Sequence, residues 1–267
     1  MILAYDGTSY FGWQRQNNFK SIQGELEKSL KAITGKNTSV IGAGRTDAGV
    51  HALGQVANFR IDTHLQSDII KRALNANLPK EIRVLDVGET TLDFHAQKCA
   101  KGKRYAYQIF LGKETSPFCR TYFAQVGYKL SIERMRESAK RIIGKKDFKA
   151  LSTNPGYSLN STVRTVEHIH ISKKRNLLWI VVQGKGFLYN MVRTIAGTLV
   201  DAGRGRFSPD DIERIIKEKD RRKAGPVMPA SGLFLVRVLY EKKWNIPKTR
   251  VRHGTVNVPR DFLEIRS

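Results

Sequence analysis

The segment Gly-Ala-Gly-Arg-Thr-Asp-Ala-Gly-Val-His-Ala, residues 42–52, places an arginine, an aspartate and a histidine among small residues. The aspartate, Asp47, has two interpretations. In one it is a turn residue that forms a surface ion pair with Arg45, since an isolated aspartate in a glycine-rich loop usually belongs to a turn. In the other it is a catalytic carboxylate, and the glycines let the loop approach a substrate backbone closely. The residue types of this segment leave both interpretations open.

The spacing of the remaining residues argues against three other kinds of site. A dinucleotide-binding loop needs a third glycine where Asp47 stands, and a helix should follow where the sequence predicts a strand. The sequence contains no Gly-x-x-x-x-Gly-Lys-Ser/Thr motif, which argues against a nucleoside triphosphate pocket. His168 and His170 alternate on a predicted strand without further ligands at metal-binding spacing. We therefore expect outward polar positions for both histidines and no metal site.

The charge of the chain indicates a polyanionic partner. Its 267 residues include 47 lysines and arginines against 24 aspartates and glutamates, which gives a formal net charge of +23. Such a field attracts nucleic acid first and anionic membranes second, although part of the excess can reflect the composition of a proteome. The basic residues are scattered along predicted folded elements, and this distribution favours a shaped groove over a charged tail.

Composition also predicts the compartment. No stretch approaches the ~20 apolar residues of a membrane span, and the N-terminus has neither a basic start nor a long apolar run. The two cysteines, Cys99 and Cys119, lack Cys-x-x-Cys spacing and are predicted to be free thiols, although a pair between them stays open. We expect a cytoplasmic protein without a membrane anchor.

Hydrophobic periodicity predicts the element order β-α-β-β-α-β twice, which is the ferredoxin-like arrangement. The two halves are predicted at 1–95 and, with insertions, at 96–245, and residues 246–267 form a tail without periodicity. The predicted elements are 2–6, 21–34, 38–43, 55–61, a helix from Ser67 to Pro79, 81–88, 104–111, 131–144, 163–172, 176–184, 188–203, 208–218 and 232–240. The predicted class is α+β, with a mixed or antiparallel central sheet, helices on one side and an active-site cleft between the halves.

Five segments, taken together and in order, resemble the tRNA pseudouridine synthase A family over nearly the whole chain. They are residues 4–16, 42–52, 75–79, 94–107 and 186–203, and the string Gly-Arg-Thr-Asp-Ala-Gly-Val-His-Ala is very specific. The resemblance implies an isomerase that converts uridines 38, 39 and 40 of the tRNA anticodon arm to pseudouridine. It also implies a homodimer that acts on tRNA and needs no cofactor or metal.

The resemblance implies roles for four residues. Asp47 stands at the position of the catalytic aspartate, and Arg193 matches the arginine that pairs with it. Tyr105 matches the tyrosine that stacks on the target uracil, and Arg45 matches the arginine that takes the place of the flipped base. A carboxylate beside the sugar can add to C1′ or remove a proton from C2′, and the sequence leaves both routes open.

Two of these assignments have a simpler alternative, and one position departs from the family pattern. By residue type alone, Arg193 is a helix-surface charge and Tyr105 is a core tyrosine like Tyr107. The family usually reads Phe-His-Ala-Arg, whereas this chain has Gln97 in the last place. A cationic contact is therefore expected to be lost or to be supplied by Lys98.

A second class of function is a non-catalytic RNA-binding protein built from two halves like RNA-recognition motifs. Residues 185–190, Lys-Gly-Phe-Leu-Tyr-Asn, begin like the strand signature of that motif, but leucine replaces the small fourth residue and a helix follows. We expect ordinary packing for Phe187 and Tyr189. Asp47 favours the enzyme, because a carboxylate on a purely RNA-binding surface would repel the phosphates.

Overall fold

The computed structural model describes residues 1–114, 117, 120–154, 156, 160–244 and 246. These residues divide into two units: Met1–Lys101 and the described residues after Leu233 form the first, and Gly102–Leu233 forms the second. Each unit carries helices and a mixed β-sheet, which confirms the α+β class. The halves predicted at 1–95 and 96–245 stay a prediction, and of the predicted tail only residue 246 is described. Within the described part of the chain, no helix is long and apolar enough to cross a membrane.

The first unit follows the predicted order β-α-β-β-α-β. Its elements are β1 (Ile2–Tyr5), α1 (Ile22–Thr34), β2 (Ile41–Gly42), β3 (His51–Asn58), α2 (Ser67–Asn77) and β4 (Ile82–Asp86). β1 lies between β3 and β4 and pairs antiparallel with both. β2 pairs antiparallel with β3 through two residues.

The second unit has a similar sheet with more elements. They are β5 (Gly102–Leu111), β6 (Ala124–Val126), α3 (Ile132–Ile142), β7 (Gly144–Asp147), β8 (Val163–Lys174), β9 (Leu177–Gly184), α4 (Met191–Arg204) and α5 (Pro209–Glu218). β9 pairs antiparallel with β5 and with β8, and β7 pairs antiparallel with β8. β6 pairs parallel with β5. The chain then returns to the first unit and forms β10 (Leu233–Leu239). Within that unit, β10 pairs parallel with β3.

Side-chain caps define where α1 and α5 begin. Ser21 accepts a hydrogen bond from the backbone N–H of Gly24, and Gly35 ends α1 in the left-handed region. Ser208 and Asp211 form a reciprocal capping box at the start of α5. These caps satisfy backbone N–H groups that have no partner inside the helix.

Two strands of the first unit differ from the sequence prediction. β2 has only two residues instead of 38–43, and β3 begins at His51 instead of residue 55. The first difference arises because two side chains of α1 form hydrogen bonds with the backbone N–H and carbonyl of Val40. The Glu27 carboxylate accepts the Val40 N–H at 3.1 Å, and the Gln23 amide donates to the Val40 carbonyl at 3.0 Å. The chain before β2 therefore bonds to helix side chains and not to a neighbouring strand.

The β2–β3 loop, residues 43–50, is held by the segment that follows β1. The Trp13 N–H donates to the Thr46 carbonyl at 3.0 Å, and the Gly49 N–H donates to the Tyr10 carbonyl at 3.2 Å. On the other side, the Gln55 amide donates to the carbonyl of Gly44 at 2.8 Å. The loop lacks large apolar side chains, so backbone hydrogen bonds fix its conformation.

Gly12 allows this close approach of two backbones. Its φ is +87°, and an added Cβ would lie 2.4 Å from the Thr46 carbonyl oxygen. We expect Gly12→Ala to lower the free energy of unfolding by about 2 kcal/mol or more, because backbone strain and steric overlap both contribute. Urea denaturation measures this change.

Gly35 provides the matched control for that substitution. It also has a positive φ, +71°, but nothing lies within 4 Å of an added Cβ. Gly35→Ala should lose only the backbone contribution, about 1 kcal/mol. Equal losses in the two variants would show that the contact between Gly12 and the β2–β3 loop adds nothing to stability.

Candidate active site

Asp47 lies at the middle of the β2–β3 loop and is half-buried. Its backbone carbonyl accepts the N–H of Val50 at 3.1 Å, which closes a tight turn with Gly49 at a φ of 75°. The preceding residue, Thr46, is buried and bonded through its backbone to Trp13. The backbone that carries Asp47 is therefore fixed on both sides, as a preorganised catalytic group would require.

Tyr5 contacts the loop through a buried hydroxyl. Its Oη lies 2.8 Å from Thr46 Oγ1, at hydrogen-bond distance. Burial raises the pKa of Tyr5 to about 12, so the phenol keeps its proton throughout the physiological range. The pair joins β1 to the loop with neutral groups only and adds no charge beside Asp47.

Arg45 is exposed, although the backbone around it is fixed. The carbonyl before it, that of Gly44, accepts from Gln55, and the residue after it, Thr46, is buried. Among the described residues Arg45 forms no ion pair, so the surface pair with Asp47 expected of a simple turn is not formed. An exposed planar cation on a rigid loop can enter a nucleic acid helix and stack there.

His51, the remaining titratable residue of the motif, has a packing role. It begins β3, is almost completely buried, and stacks on Phe234 with ring centroids 4.7 Å apart. Its Nδ1 accepts the backbone N–H of Gly7 at 3.1 Å. The ring contact joins β3 to β10, and the hydrogen bond joins β3 to the chain after β1.

Tyr105 lies on β5 and is 7% exposed. The ring of Phe187 meets it edge-on, with centroids 5.2 Å apart and planes at 86°. Edge-to-face contacts of this kind are favourable and fix the orientation of both rings. The sequence predicts only ordinary packing for Phe187, whereas in the structure its ring is one of the contacts that orient Tyr105.

Tyr107, two residues further along β5, has a different environment. Its hydroxyl donates to the Pro229 carbonyl at 2.7 Å. Burial raises the pKa of Tyr107 well above its ordinary value, and the nearby charge of Arg193 opposes this shift. Tyr107 is thus a structural tyrosine of the core, which makes it a useful reference for Tyr105.

Arg193 is half-buried in the first turn of α4. Its Nε donates to the Met228 carbonyl at 2.6 Å, and its Nη1 donates to Asn190 Oδ1 at 2.8 Å. Asn190 is itself held by a hydrogen bond from its amide to Thr153 Oγ1 at 2.8 Å. These bonds orient the guanidinium, whose five N–H donors can serve several partners at once.

A buried polar network beside Tyr105 was not predicted from the sequence. Arg104 is buried, and its Nε and Nη2 donate to Gln183 Oε1 at 3.0 and 2.7 Å. The Gln183 amide in turn donates to Glu167 Oε2 at 3.1 Å. A buried guanidinium needs such partners to offset its loss of hydration, and the network ties β5 to β9 and β8. The basic residue directly before Tyr105 was a visible signal, but its partner lies 79 positions away.

The remaining sequence predictions concern Gln97, metal ligands and cysteines. Gln97 and Lys98 are both exposed, so replacement of the family cation by Lys98 stays a prediction. His168 and His170 are exposed on β8, and the described residues contain no group of three or more potential metal ligands. Cys99 is a free thiol, whereas Cys119 lies outside the described residues.

The four residues singled out by the sequence divide between the two units. Asp47 and Arg45 share the β2–β3 loop of the first unit, two residues apart. Tyr105 and Arg193 lie in the second unit, on β5 and α4. Tyr105 and Arg193 are held by a ring contact and by hydrogen bonds, whereas Asp47 and Arg45 rely on the hydrogen-bonded backbone of their loop.

Comparison with known proteins identifies the family. A family model described as tRNA pseudouridine synthase matches residues 1–97 and 138–241, a span that includes Asp47, Arg45 and Arg193. The tRNA pseudouridine synthases A of Caldicellulosiruptor saccharolyticus and Acetivibrio thermocellus are each 42% identical over 240 residues, 90% of this chain and 98% of theirs. That of Thermoanaerobacter sp. strain X514 is 43% identical, with the same 90% and 98% coverage. The chain therefore belongs to the tRNA pseudouridine synthase family.

Proposed function

We propose that this chain isomerises uridine to pseudouridine in tRNA, at uridines 38, 39 and 40 of the anticodon arm. The observation that carries the proposal is the β2–β3 loop, which fixes the backbone of Asp47 within the most specific family motif. The formal net charge of +23 supports a polyanionic substrate. We place the protein in the cytoplasm and expect a homodimer.

The proposed fold of the whole enzyme is two ferredoxin-like halves. The order β-α-β-β-α-β and the position of β1 between β3 and β4 in the first unit support this interpretation. In the proposed arrangement the helices cover one side of the sheet and a cleft between the halves receives the RNA.

The reaction needs a group that acts on the ribose. The N1–C1′ bond of the uridine breaks, the uracil rotates, a C5–C1′ bond forms, C5 loses its proton, and N1 gains one. In the proposed mechanism Asp47 either adds to C1′ or removes a proton from C2′ to give a glycal. One carboxylate suffices, because the uracil anion is stabilised by resonance and is recaptured without prior protonation.

Three further side chains assist in the proposed mechanism. Arg45, exposed on the fixed loop, takes the place of the flipped uracil in the stem. Tyr105, oriented by Phe187, stacks on the uracil and assists the transfer of the proton from C5. Arg193, whose guanidinium is oriented by Met228 and Asn190, pairs with Asp47 and keeps the carboxylate ionised.

Replacement of Asp47 by asparagine tests the central assignment, because it removes the ionisable group with little change in volume. We expect the rate of tritium release from tRNA labelled at uracil C5 to fall by about 10³-fold or more. Binding of tRNA, measured by filter retention, should persist.

Asp62→Asn is the matched control, since Asp62 is an exposed carboxylate of the same unit. It should release tritium at the rate of the unmodified protein. Wild-type release by Asp47→Asn would refute the assignment of Asp47. Absence of release by the unmodified protein, with tRNA binding intact, would instead support the non-catalytic RNA-binding alternative.

Arg193→Met should shift the acidic limb of the kcat/KM profile to higher pH. Loss of the cation disfavours the ionised carboxylate, so more alkaline solution is needed to reach the active form. Arg206→Met removes an arginine that pairs with Asp201 at 3.2 Å and should leave the profile in place. An unshifted profile for Arg193→Met would mean that Arg193 has only a structural role.

Substitutions at Tyr105 separate stacking from proton transfer. Tyr105→Phe keeps the ring and should bind tRNA normally, while kcat falls by about 10- to 100-fold because the hydroxyl is lost. Tyr105→Leu should lose tRNA affinity as well. In the control, Tyr107→Phe removes the bond to Pro229 and should lower stability by about 1 kcal/mol while kcat is retained. Wild-type kcat in Tyr105→Phe would exclude a role for the hydroxyl.

A further inference from the structure

Residues 11–20, here called the aromatic hairpin, expose two phenyl rings. Phe11 is 50% exposed and Phe19 is 48% exposed, and their ring centroids lie 4.3 Å apart. The backbone holds them together, since the Phe11 N–H donates to the Lys20 carbonyl at 2.9 Å and Asn18 makes a tight turn with a φ of 67°. Among the described residues these are the only exposed phenylalanines.

The aromatic hairpin is attached to the β2–β3 loop on both sides of Phe11. The residue before it, Tyr10, accepts the N–H of Gly49, and the second residue after it, Trp13, donates to Thr46. Phe11 therefore projects from a backbone that contacts the loop of the proposed catalytic aspartate directly. A group that rests on Phe11 or Phe19 would lie close to the reacting nucleotide.

The composition of the aromatic hairpin fits RNA. Residues 11–20 contain two cations, Arg15 and Lys20, four amide side chains and no carboxylate, and all of these side chains are exposed. Arg15 is 70% exposed even though its Nη1 lies 2.8 Å from the Glu27 carboxylate. Cations can neutralise phosphates, amides can bond to base edges, and aromatic rings stack on unpaired bases.

Packing of the two rings on each other does not explain their exposure. Their mutual contact covers one part of each ring, yet about half of each side chain still faces water. In the same unit, Phe94 and Phe234 are buried, so the fold has room for phenylalanines in its core. An exposed aromatic pair of this kind indicates a binding partner.

We propose that Phe11 and Phe19 form a stacking platform for an unpaired base of the tRNA, next to the uridine on which Asp47 acts. This inference rests on the proposed function and extends it with a second contact point for the substrate. A paired stem offers no open base face, so the base that stacks here is a single-stranded nucleotide of the loop of the RNA.

Variants of Phe19 test the platform with tRNA as the probe. Phe19→Leu keeps an apolar side chain but loses the aromatic face, and we expect it to raise Kd and KM by about tenfold with kcat nearly unchanged. Phe19→Trp should restore affinity, and its indole fluorescence should be quenched when tRNA binds. Leu92→Ala is the control, since Leu92 is 79% exposed on the same unit and should have no effect.

Each alternative outcome is distinguishable from failure of the proposed function. Wild-type affinity in both Phe19→Leu and Phe11→Leu overturns the platform, while tritium release by the unmodified protein still supports the isomerase. A loss of affinity that tryptophan does not restore also overturns it, because the effect is then structural. Reduced self-association in sedimentation experiments, with unchanged tRNA binding, would identify the rings as a protein contact and overturn the proposal.

Discussion

The close backbone contact between the chain after β1 and the β2–β3 loop is the constraint on which the candidate site depends. The loop carries small residues and cannot hold its shape through an apolar core of its own. Two glycines on the neighbouring segment permit the contact: an added Cβ at Gly7 would lie 2.0 Å from the Val50 carbonyl oxygen, and one at Gly12 would overlap Thr46. Glycine loses more conformational entropy on folding than other residues. The rigid loop is therefore stabilised at an entropic cost at Gly7 and Gly12. This also explains why the segments 4–16 and 42–52 occur together, since each supplies half of one packed substructure.

Local signals in the sequence predicted the helices well. Ser21 and Ser208 cap α1 and α5 with side-chain hydrogen bonds to residues three positions away, and such interactions are visible in a short window of sequence. The strands were harder, because their partners are distant in sequence. Residues 38–40 resemble a strand by composition, yet side chains of α1 bind the backbone of Val40. β6 and β7 have three and four residues, and the Gly-Lys-Lys-Asp sequence of β7 has no apolar alternation to detect.

The candidate site shows the same division between local and distant information. Residue types alone could not decide between a turn and a catalytic role for Asp47, and the catalytic role is proposed from the family resemblance. The edge-on contact between Tyr105 and Phe187 joins residues 82 positions apart, and no spacing rule could reveal it. Arg104 and Gln183 are similarly remote, and their pairing depends on the register of β5 and β9. Sequence reasoning therefore identified candidates for chemistry, whereas the side chains that orient them required the fold.

In the proposed function a strongly basic protein uses one carboxylate on a polyanion, and this combination creates an electrostatic problem. The phosphates repel Asp47, while the surrounding cations attract RNA without regard to sequence or position. Attraction by scattered charge therefore brings the RNA near but cannot select one nucleotide. Selection needs groups with fixed geometry, and the first unit offers two that do not depend on long-range charge: Arg45 on the rigid loop and the rings of Phe11 and Phe19 beside it. Stacking on a planar side chain weakens when the base is displaced, so it favours one position of the nucleotide. Such contacts can therefore hold the ribose next to a carboxylate in spite of the repulsion between that carboxylate and the phosphates.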